Sequence, residues 1–256
     1  MIDRLTHPDA QGLIAVADVR VALVIAGVAV LAGAAVQSTV GLGLGLVAAP
    51  VISFLDPTLM PGAMLIAAVV LPVLTLLQDW RHVDWRGVGW GLPARLPGTI
   101  VGVWVVAVLE PRALAGVIGA MVLGAVVLSL WSLRVRISPV SLVAAGCISG
   151  ITGTATSVGG PPLALLYQYE PAARIRATLA AFFLFGSAIS LIALAVGGQL
   201  DTRTVVAGLA AIPCVGVGFG LGSVLRRWIP ARRLRAGLLW VVTASALGLL
   251  VTAALG

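Results

Sequence analysis

The chain has 256 residues, of which 60% are hydrophobic and only 10% are charged, and its formal net charge is +7. A soluble domain carries about 25% charged residues, so this composition excludes an ordinary soluble domain and indicates an integral membrane protein. All 16 basic residues are arginines that lie mostly in short stretches between apolar windows, which favours a role in membrane orientation over nucleic-acid binding.

Charge-free windows divide the rest of the chain into candidate membrane segments. Residues 1–19 form a polar N-terminal segment that does not resemble a secretory signal, so we expect the first apolar run to remain as an anchor. A crossing helix needs about 20 apolar residues, and two windows exceed that length and must fold back. The windows without Asp, Glu, Lys or Arg are 21–55, 57–78, 113–133, 137–169, 177–200, 204–225 and 236–256, and window 87–109 contains only Arg95.

The two overlong windows resemble each other. One reads Gln37-Ser-Thr-Val-Gly-Leu-Gly-Leu-Gly-Leu-Val-Ala-Ala-Pro50, and the other reads Ser149-Gly-Ile-Thr-Gly-Thr-Ala-Thr-Ser-Val-Gly-Gly-Pro-Pro162. Further matches follow in the same order: Asp84-Trp-Arg86 with Asp201-Thr-Arg203, and Leu96-Pro97 with Ile212-Pro213. The common order predicts an internal duplication, with repeats over 20–136 and 137–256.

The glycines and prolines in both overlong windows predict helical hairpins over about 21–56 and 138–169. We therefore predict an all-α integral membrane fold of two inverted structural repeats, each a Gly/Pro-broken helical hairpin plus three transmembrane helices. The predicted spans are about 58–78, 90–109, 113–133, 174–198, 204–225 and 235–255.

The distribution of arginines supports the hairpins. Eight single crossings would divide the 16 arginines eight to eight, whereas two hairpins and six spans divide them twelve to four. The uneven division follows the positive-inside rule and places the arginine-rich side in the cytoplasm. Both termini then lie outside.

The hairpin bends are the candidate binding site. Broken helices free backbone N–H groups, and helix N-termini favour anions. Pro50, Pro161 and Pro162 lie near the starts of the second arms, where N-termini could point inward. The alternative for any single glycine is close helix packing. The candidate substrate-binding residues are Gln37, Ser38, Thr39, Gly41, Gly43, Gly45, Pro50, Thr152, Gly153, Thr154, Thr156, Ser157, Gly159, Gly160 and Pro161.

Arg95 is the one charged residue inside an apolar window. Two interpretations stay open: its side chain reaches back to the membrane surface, or it guides an anion into the cavity. Four acidic residues lie at the predicted ends of spans, namely Asp79, Glu110, Glu170 and Asp201. Neither histidine has a second ligand at metal spacing. With no Walker motif and no Ser/His/Asp set, the sequence predicts no enzymatic activity, no metal and no cofactor.

These two Gly-rich stretches that lead into a proline, one in each half, resemble the sulfite exporter TauE/SafE family. The resemblance covers nearly all of 20–255. It implies a transporter or exporter of sulfite, organosulfonates or related sulfur oxyanions in the cytoplasmic (inner) membrane. The expected partners are a small anion and the lipid bilayer, with no nucleic acid, and a homo-oligomer stays open.

Other functions stay open beside this one. A transporter of the same fold could carry a different small anion, and an anion channel could use the same bends. An enzyme acting on a lipid phosphate would need paired Glu or a Ser/Arg/His cluster in the membrane, which this chain does not contain. A noncatalytic scaffold would not need polar, broken helices.

Overall fold

The computed structural model describes residues 8–130, 135–225, 228, 243–244, 246–248 and 250–251. Within them the chain forms helices and short connections, and no strand occurs among these residues. Helices suit a bilayer because they satisfy their own backbone polar groups. The α-helices are α1 Pro8–Val40, α2 Leu44–Leu55, α3 Gly62–Asp79, α4 Trp85–Val108, α5 Pro111–Leu130, α6 Pro139–Thr156, α7 Pro161–Tyr167, α8 Ala172–Val196 and α9 Thr202–Leu225, and 3-10 turns cover Pro57–Leu59 and Trp80–His82.

Six stretches of the described chain are long and apolar enough to cross a membrane, which confirms the membrane class. They are Arg20–Val40, Gly62–His82, Trp85–Val108, Pro139–Thr156, Ala172–Val196 and Thr202–Leu225. Four of these stretches, which correspond to α3, α4, α8 and α9, match predicted spans. The other two are the first arms of the predicted hairpins, so each first arm is itself as long as a span. The predicted span 235–255 falls largely outside the described residues.

Both overlong windows contain the expected helix breaks. α1 ends at Val40, and Gly41 follows with a φ of 94°, a left-handed conformation that glycine adopts without a Cβ clash. α6 ends at Thr156, and Ser157 follows with a φ of 61°. α7 then begins at Pro161, whose fixed φ suits a first helical position. We call residues 41–43 the first break and residues 157–160 the second break.

At each break the chain folds back along itself. A Cβ added to Gly33 would lie 3.0 Å from the Cα of Leu44, the first residue after the first break. A Cβ added to Gly159 would lie 3.0 Å from the Cα of Gly153 and 3.0 Å from the carbonyl oxygen of Ser149. The arms of each predicted hairpin therefore touch next to the break.

One boundary differs from the sequence expectation, and one helix is longer than expected. α1 begins at Pro8, so residues 8–19 of the polar N-terminal segment are helical and continue into the first arm. The second arm of the first hairpin begins at Leu44, and Pro50 lies inside α2 instead of near its start. The helix starts six residues before the proline because Gly43 ends the break and the side chain of Gln37 caps the N–H of Leu44.

The broken helices α1 and α6 each pack along a helix from the other half of the chain. α6 follows α4, where Gly146 lies against the backbone of Gly91. α1 follows α9, where Gly222 lies against the backbone of Ala35. Small residues allow such close approach of transmembrane helices. Close packing is therefore the role of these glycines, which lie outside the breaks.

An ion-pair network marks one end of the helix bundle. Asp79, at the end of α3, accepts hydrogen bonds from Nε and Nη2 of Arg176 at 3.2 and 2.9 Å. Asp84 caps α4, accepts a hydrogen bond of 2.9 Å from the Tyr167 hydroxyl and lies 3.3 Å from the Nη2 of Arg174. We call this end of the bundle the Asp84 end.

The opposite end of α3 contacts the loop between α8 and α9. Gly62, the first residue of α3, packs against the side chains of Leu200 and Thr204. Asp56, which precedes α3, forms an ion pair with Arg203. We call this the Asp56 end. α3 and α8 therefore run in opposite directions between the two ends.

Candidate functional site

The two breaks meet in the interior of the protein. A Cβ added to Gly45 would overlap the carbonyl oxygen of Ser157, and a Cβ added to Gly160 would lie 3.6 Å from the Cβ of Leu42. Around this junction lies a cavity of about 40 Å³. A buried water needs about 10–15 Å³, so the cavity has room for a few waters or one small ion.

The cavity wall combines polar and apolar groups. Hydroxyl and amide side chains come from Gln37, Ser157 and Ser187, and the backbone of both breaks adds further polar atoms. Leu65, Phe183 and other apolar side chains form the rest of the wall. None of the described residues that line the cavity is Asp, Glu, Lys, Arg or His. This part of the wall can therefore offer hydrogen bonds to an ion but carries no charge of its own.

Gln37 shapes the first break. Its side chain is buried, and its Oε1 accepts a hydrogen bond of 2.9 Å from the N–H of Leu44. The cap residue Gly43 has no side chain to do this. The first N–H groups of any helix lack partners inside that helix. The next such groups of α2 belong to Gly45 and Leu46, which both line the cavity.

The breaks contact opposite ends of the bundle. The hydroxyl of Ser157, in the second break, donates a hydrogen bond of 2.9 Å to the carbonyl oxygen of Pro61, beside the Asp56 end. Gly41, in the first break, lies so close to α8 that an added Cβ would be 3.2 Å from the Cα of Arg176. Arg176 belongs to the network at the Asp84 end.

Arg95 lies in the interior, directly behind the second break. The residue is only 3% exposed. Its Nη1 donates to the Ser149 hydroxyl at 2.7 Å, and its Nη2 donates to the Ser190 hydroxyl at 3.2 Å. The interpretation in which this side chain reaches the membrane surface is therefore wrong. The reason is that α6 and α8 enclose the guanidinium and supply hydroxyl partners for it.

A second set of hydroxyls supports Ser190. Its Oγ lies 2.7 Å from the Oγ1 of Thr154, and that same Oγ1 lies 3.4 Å from the Oγ1 of Thr99. All three residues are buried. The network joins α4, α6 and α8 around the guanidinium and fixes the position of Ser190.

Seven of the fifteen candidate residues line the cavity. They are Gln37, Gly43, Gly45, Ser157, Gly159, Gly160 and Pro161.

The other eight candidate residues lie behind the cavity wall or face elsewhere. Ser38, Thr39 and Thr156 donate to carbonyl oxygens of their own helices, Gly41 contacts Arg176, and Pro50 is buried inside α2. Gly153 contacts the guanidinium of Arg95, Thr154 contacts Ser190, and the Thr152 hydroxyl is buried without a partner.

Several residues of the site were missed from the sequence. Ser187 and Phe183 line the cavity from α8, and Ser149 and Ser190 hold Arg95. The spacing of Ser187 and Ser190, three residues apart in a charge-free window, places both hydroxyls on one helix face. That spacing was the signal available in the sequence.

Six membrane-length helices among the described residues define a multi-pass membrane protein, and paired helix breaks around a cavity with a mixed polar and apolar wall are typical of the transporter class. The sequence model of the family described as "Sulfite exporter TauE/SafE" matches residues 25–249. The chain belongs to the sulfite exporter TauE/SafE family.

Two curated relatives agree with this assignment. The chain is 30% identical over 236 residues to the "Probable sulfite/organosulfonate exporter TauE" of Cupriavidus necator, which covers 84% of this chain and 89% of the relative. It is 28% identical over 177 residues to the "Probable inner membrane transporter protein TsaS" of Comamonas testosteroni, which covers 67% of this chain and 74% of the relative. No solved structure matches the chain.

Proposed function

We propose that this protein is a secondary transporter of small sulfur oxyanions, such as sulfite and organosulfonates, and that the anion binds in the cavity between the two breaks. The observation that carries the proposal is the contact between Gly45 and Ser157, which joins the breaks of the two halves around one cavity. Broken helices at membrane depth are tolerated where they line a cavity, and they form the substrate sites of many transporters.

The chemistry of the wall supports an anion. The free N–H groups at the start of α2 and the hydroxyl of Ser187 are hydrogen-bond donors, and none of the described lining residues is acidic. The positive end of the α2 dipole adds to the attraction. The sulfur oxyanion itself is suggested by the names of the relatives, one a probable sulfite/organosulfonate exporter.

An inverted arrangement of the two halves accounts for the contacts of the breaks. The second arms end at opposite ends of the bundle: α2 ends beside Asp56, and Tyr167 at the end of α7 bonds to Asp84. The first break contacts Arg176 at the Asp84 end, and the second break contacts Pro61 beside the Asp56 end. Each break therefore contacts the end of the bundle opposite to the one at which its second arm ends. We propose two opposed hairpins, with repeats over 20–136 and 137–256 and both termini outside.

Export follows from the charge of the substrate. An inside-negative membrane drives each negative charge outward with about 2.3 kcal/mol per 100 mV. Outward transport of an anion therefore needs no coupled ion. The membrane is the cytoplasmic membrane, in line with a relative named as an inner membrane transporter. We infer transport without chemical conversion, so the protein is not an enzyme.

Counterflow in proteoliposomes tests this function. Liposomes with purified protein are loaded with unlabelled sulfite, and uptake of external 35S-sulfite is measured, with protein-free liposomes as the control. Competition by sulfate, thiosulfate and sulfoacetate then defines the substrate range. Saturable, trans-stimulated uptake of sulfite is expected. Uptake of a different anion class, with none of any sulfur oxyanion, overturns the proposal, and flux that neither saturates nor is trans-stimulated indicates a channel.

A further inference from the structure

We infer that Arg95 is the fixed counter-charge of the anion site, and that it makes the transporter select substrates that carry negative charge and no cationic group. The inference rests on the proposed function, because it concerns the same cavity. It assigns to one side chain the charge selectivity that the uncharged wall of the cavity cannot provide by itself.

Among the described residues, the guanidinium has only neutral partners. Its two hydrogen bonds go to the hydroxyls of Ser149 and Ser190, and its Nε has no hydrogen-bond partner within this part of the chain. A buried cation is costly unless an opposite charge accompanies it. Hydroxyl groups orient a guanidinium but do not neutralise it.

Four acidic side chains near the bundle ends pair with other arginines. Asp79 pairs with Arg176, Asp56 with Arg203, and Asp84 and Glu170 both with Arg174. No ion pair of Arg95 occurs among the described residues. Its positive charge is therefore available to a bound anion, in a setting with little water to screen it.

The guanidinium lies one layer of residues behind the cavity. Gly153 packs against its Nη2 atom and also contacts Gly159, which lines the cavity. Gly186 packs against its Nε atom, and the next residue, Ser187, lines the cavity. An added Cβ at Gly153 or Gly186 would lie 2.6 or 2.7 Å from these nitrogens. The two glycines thus let the charge approach the wall more closely than any other residue would.

The described residues of the same wall provide no partner for a cation. None of them is acidic, and a substrate ammonium would stand close to Arg95 without compensation. Like charges at short range in a poorly hydrated site repel strongly. The apolar surface of Leu65 and Phe183 suits a short hydrocarbon group instead. The substrate class that fits is sulfite and short sulfonates without an amino group.

Isethionate and taurine provide a matched pair for the test, since they differ only by a hydroxyl in place of an ammonium. Each is titrated as a competitor of 35S-sulfite counterflow by the unchanged protein. We expect isethionate to compete at a concentration about tenfold or more below that of taurine, a difference typical of one unpaired charge. Equal competition by the two overturns the inference and leaves sulfite transport, the proposed function, intact.

Variants then assign the selectivity to Arg95. Arg95→Gln keeps hydrogen-bonding capacity without charge, Arg95→Lys keeps the charge, and Arg203→Gln is the control at a half-exposed surface pair. Arg95→Gln is expected to weaken sulfite uptake about 30-fold or more. In its residual uptake, the ratio between isethionate and taurine should fall towards one, while Arg95→Lys and Arg203→Gln keep the ratio. Gel filtration and thermal unfolding in detergent verify that each variant is folded.

If Arg95→Gln transports sulfite at the rate and selectivity of the unchanged protein, Arg95 is not the counter-charge. If Arg95→Gln fails to fold, two other results still test the inference. Arg95→Lys should keep the ratio between isethionate and taurine, and equal competition by the two compounds in the unchanged protein overturns the inference. A complete lack of sulfur oxyanion uptake by the unchanged protein refutes the proposed function itself.

Discussion

The carbonyl oxygen of Ser157 occupies the space in which a side chain at Gly45 would begin. One residue lies in the break of the second half and the other in the first turn after the break of the first half. Because this contact leaves no room for a Cβ, it couples the two breaks, and the cavity beside it depends on both.

Gly45→Ala should separate the two breaks. The added methyl overlaps the Ser157 carbonyl, and overpacking of this kind costs about 1–3 kcal/mol. We expect a lower melting temperature in detergent and a loss of counterflow of about tenfold or more. Gly220→Ala is the matched control, since this helical glycine faces open space in α9. Equal effects of the two changes would refute the role of the junction.

Gln37→Ala should loosen the first break. The N–H of Leu44 loses its buried cap, which costs about 1–3 kcal/mol for an unsatisfied buried donor. Because the start of α2 then shifts relative to the cavity, the KM for sulfite should rise as the melting temperature falls. Gln199→Ala, at a side chain that bonds only locally on the surface, is the control. An unchanged KM in Gln37→Ala would show that the cap does not position the site.

Asp79 and Arg176 should be coupled energetically. Their side chains are only 16% and 15% exposed, and Arg176 lies against Gly41 of the first break. A double-mutant cycle with Asp79→Asn and Arg176→Gln, followed by thermal unfolding, should give a coupling energy of about 0.5–3 kcal/mol. The pair of Asp56 and Arg203, whose arginine is 68% exposed, should give about 0–1 kcal/mol. A larger coupling at the exposed pair would contradict this ranking.

The two ends of the bundle should face opposite sides of the membrane. In a variant without Cys147 and Cys214, a cysteine introduced at Thr58 should react with an impermeant maleimide added outside intact cells. A cysteine at Arg86 should react only after the cells are opened, because the proposed topology places the arginine-rich Asp84 end in the cytoplasm. The reverse labelling pattern would invert the proposed topology and the direction inferred for the substrate.

Local chemistry made the breaks predictable. Gly41 and Pro161 interrupt helices through backbone conformation, which the residue type reveals without knowledge of neighbours. The position of Pro50 was misjudged because a proline also fits inside a membrane helix, and the cap that begins α2 comes from the distant Gln37.

The surroundings of Arg95 depend on tertiary structure. Ser149 and Ser190 lie 54 and 95 residues away from it in the chain, and nothing in their local sequence indicates that they meet. Isolated serines are common in membrane helices, so Ser187 and Ser190 did not stand out. The same reason left the choice between a surface arginine and a buried arginine open until the packing of α4, α6 and α8 was known.

The location of a bound anion tests the central claim most directly. Selenite has the shape of sulfite, and selenium scatters anomalously, so crystals grown with selenite report its position without ambiguity. We predict an anomalous peak in the cavity between Gly45 and Ser157, which disappears when excess sulfite is added. A peak that sulfite displaces from any other place, with none between the two breaks, would contradict the account.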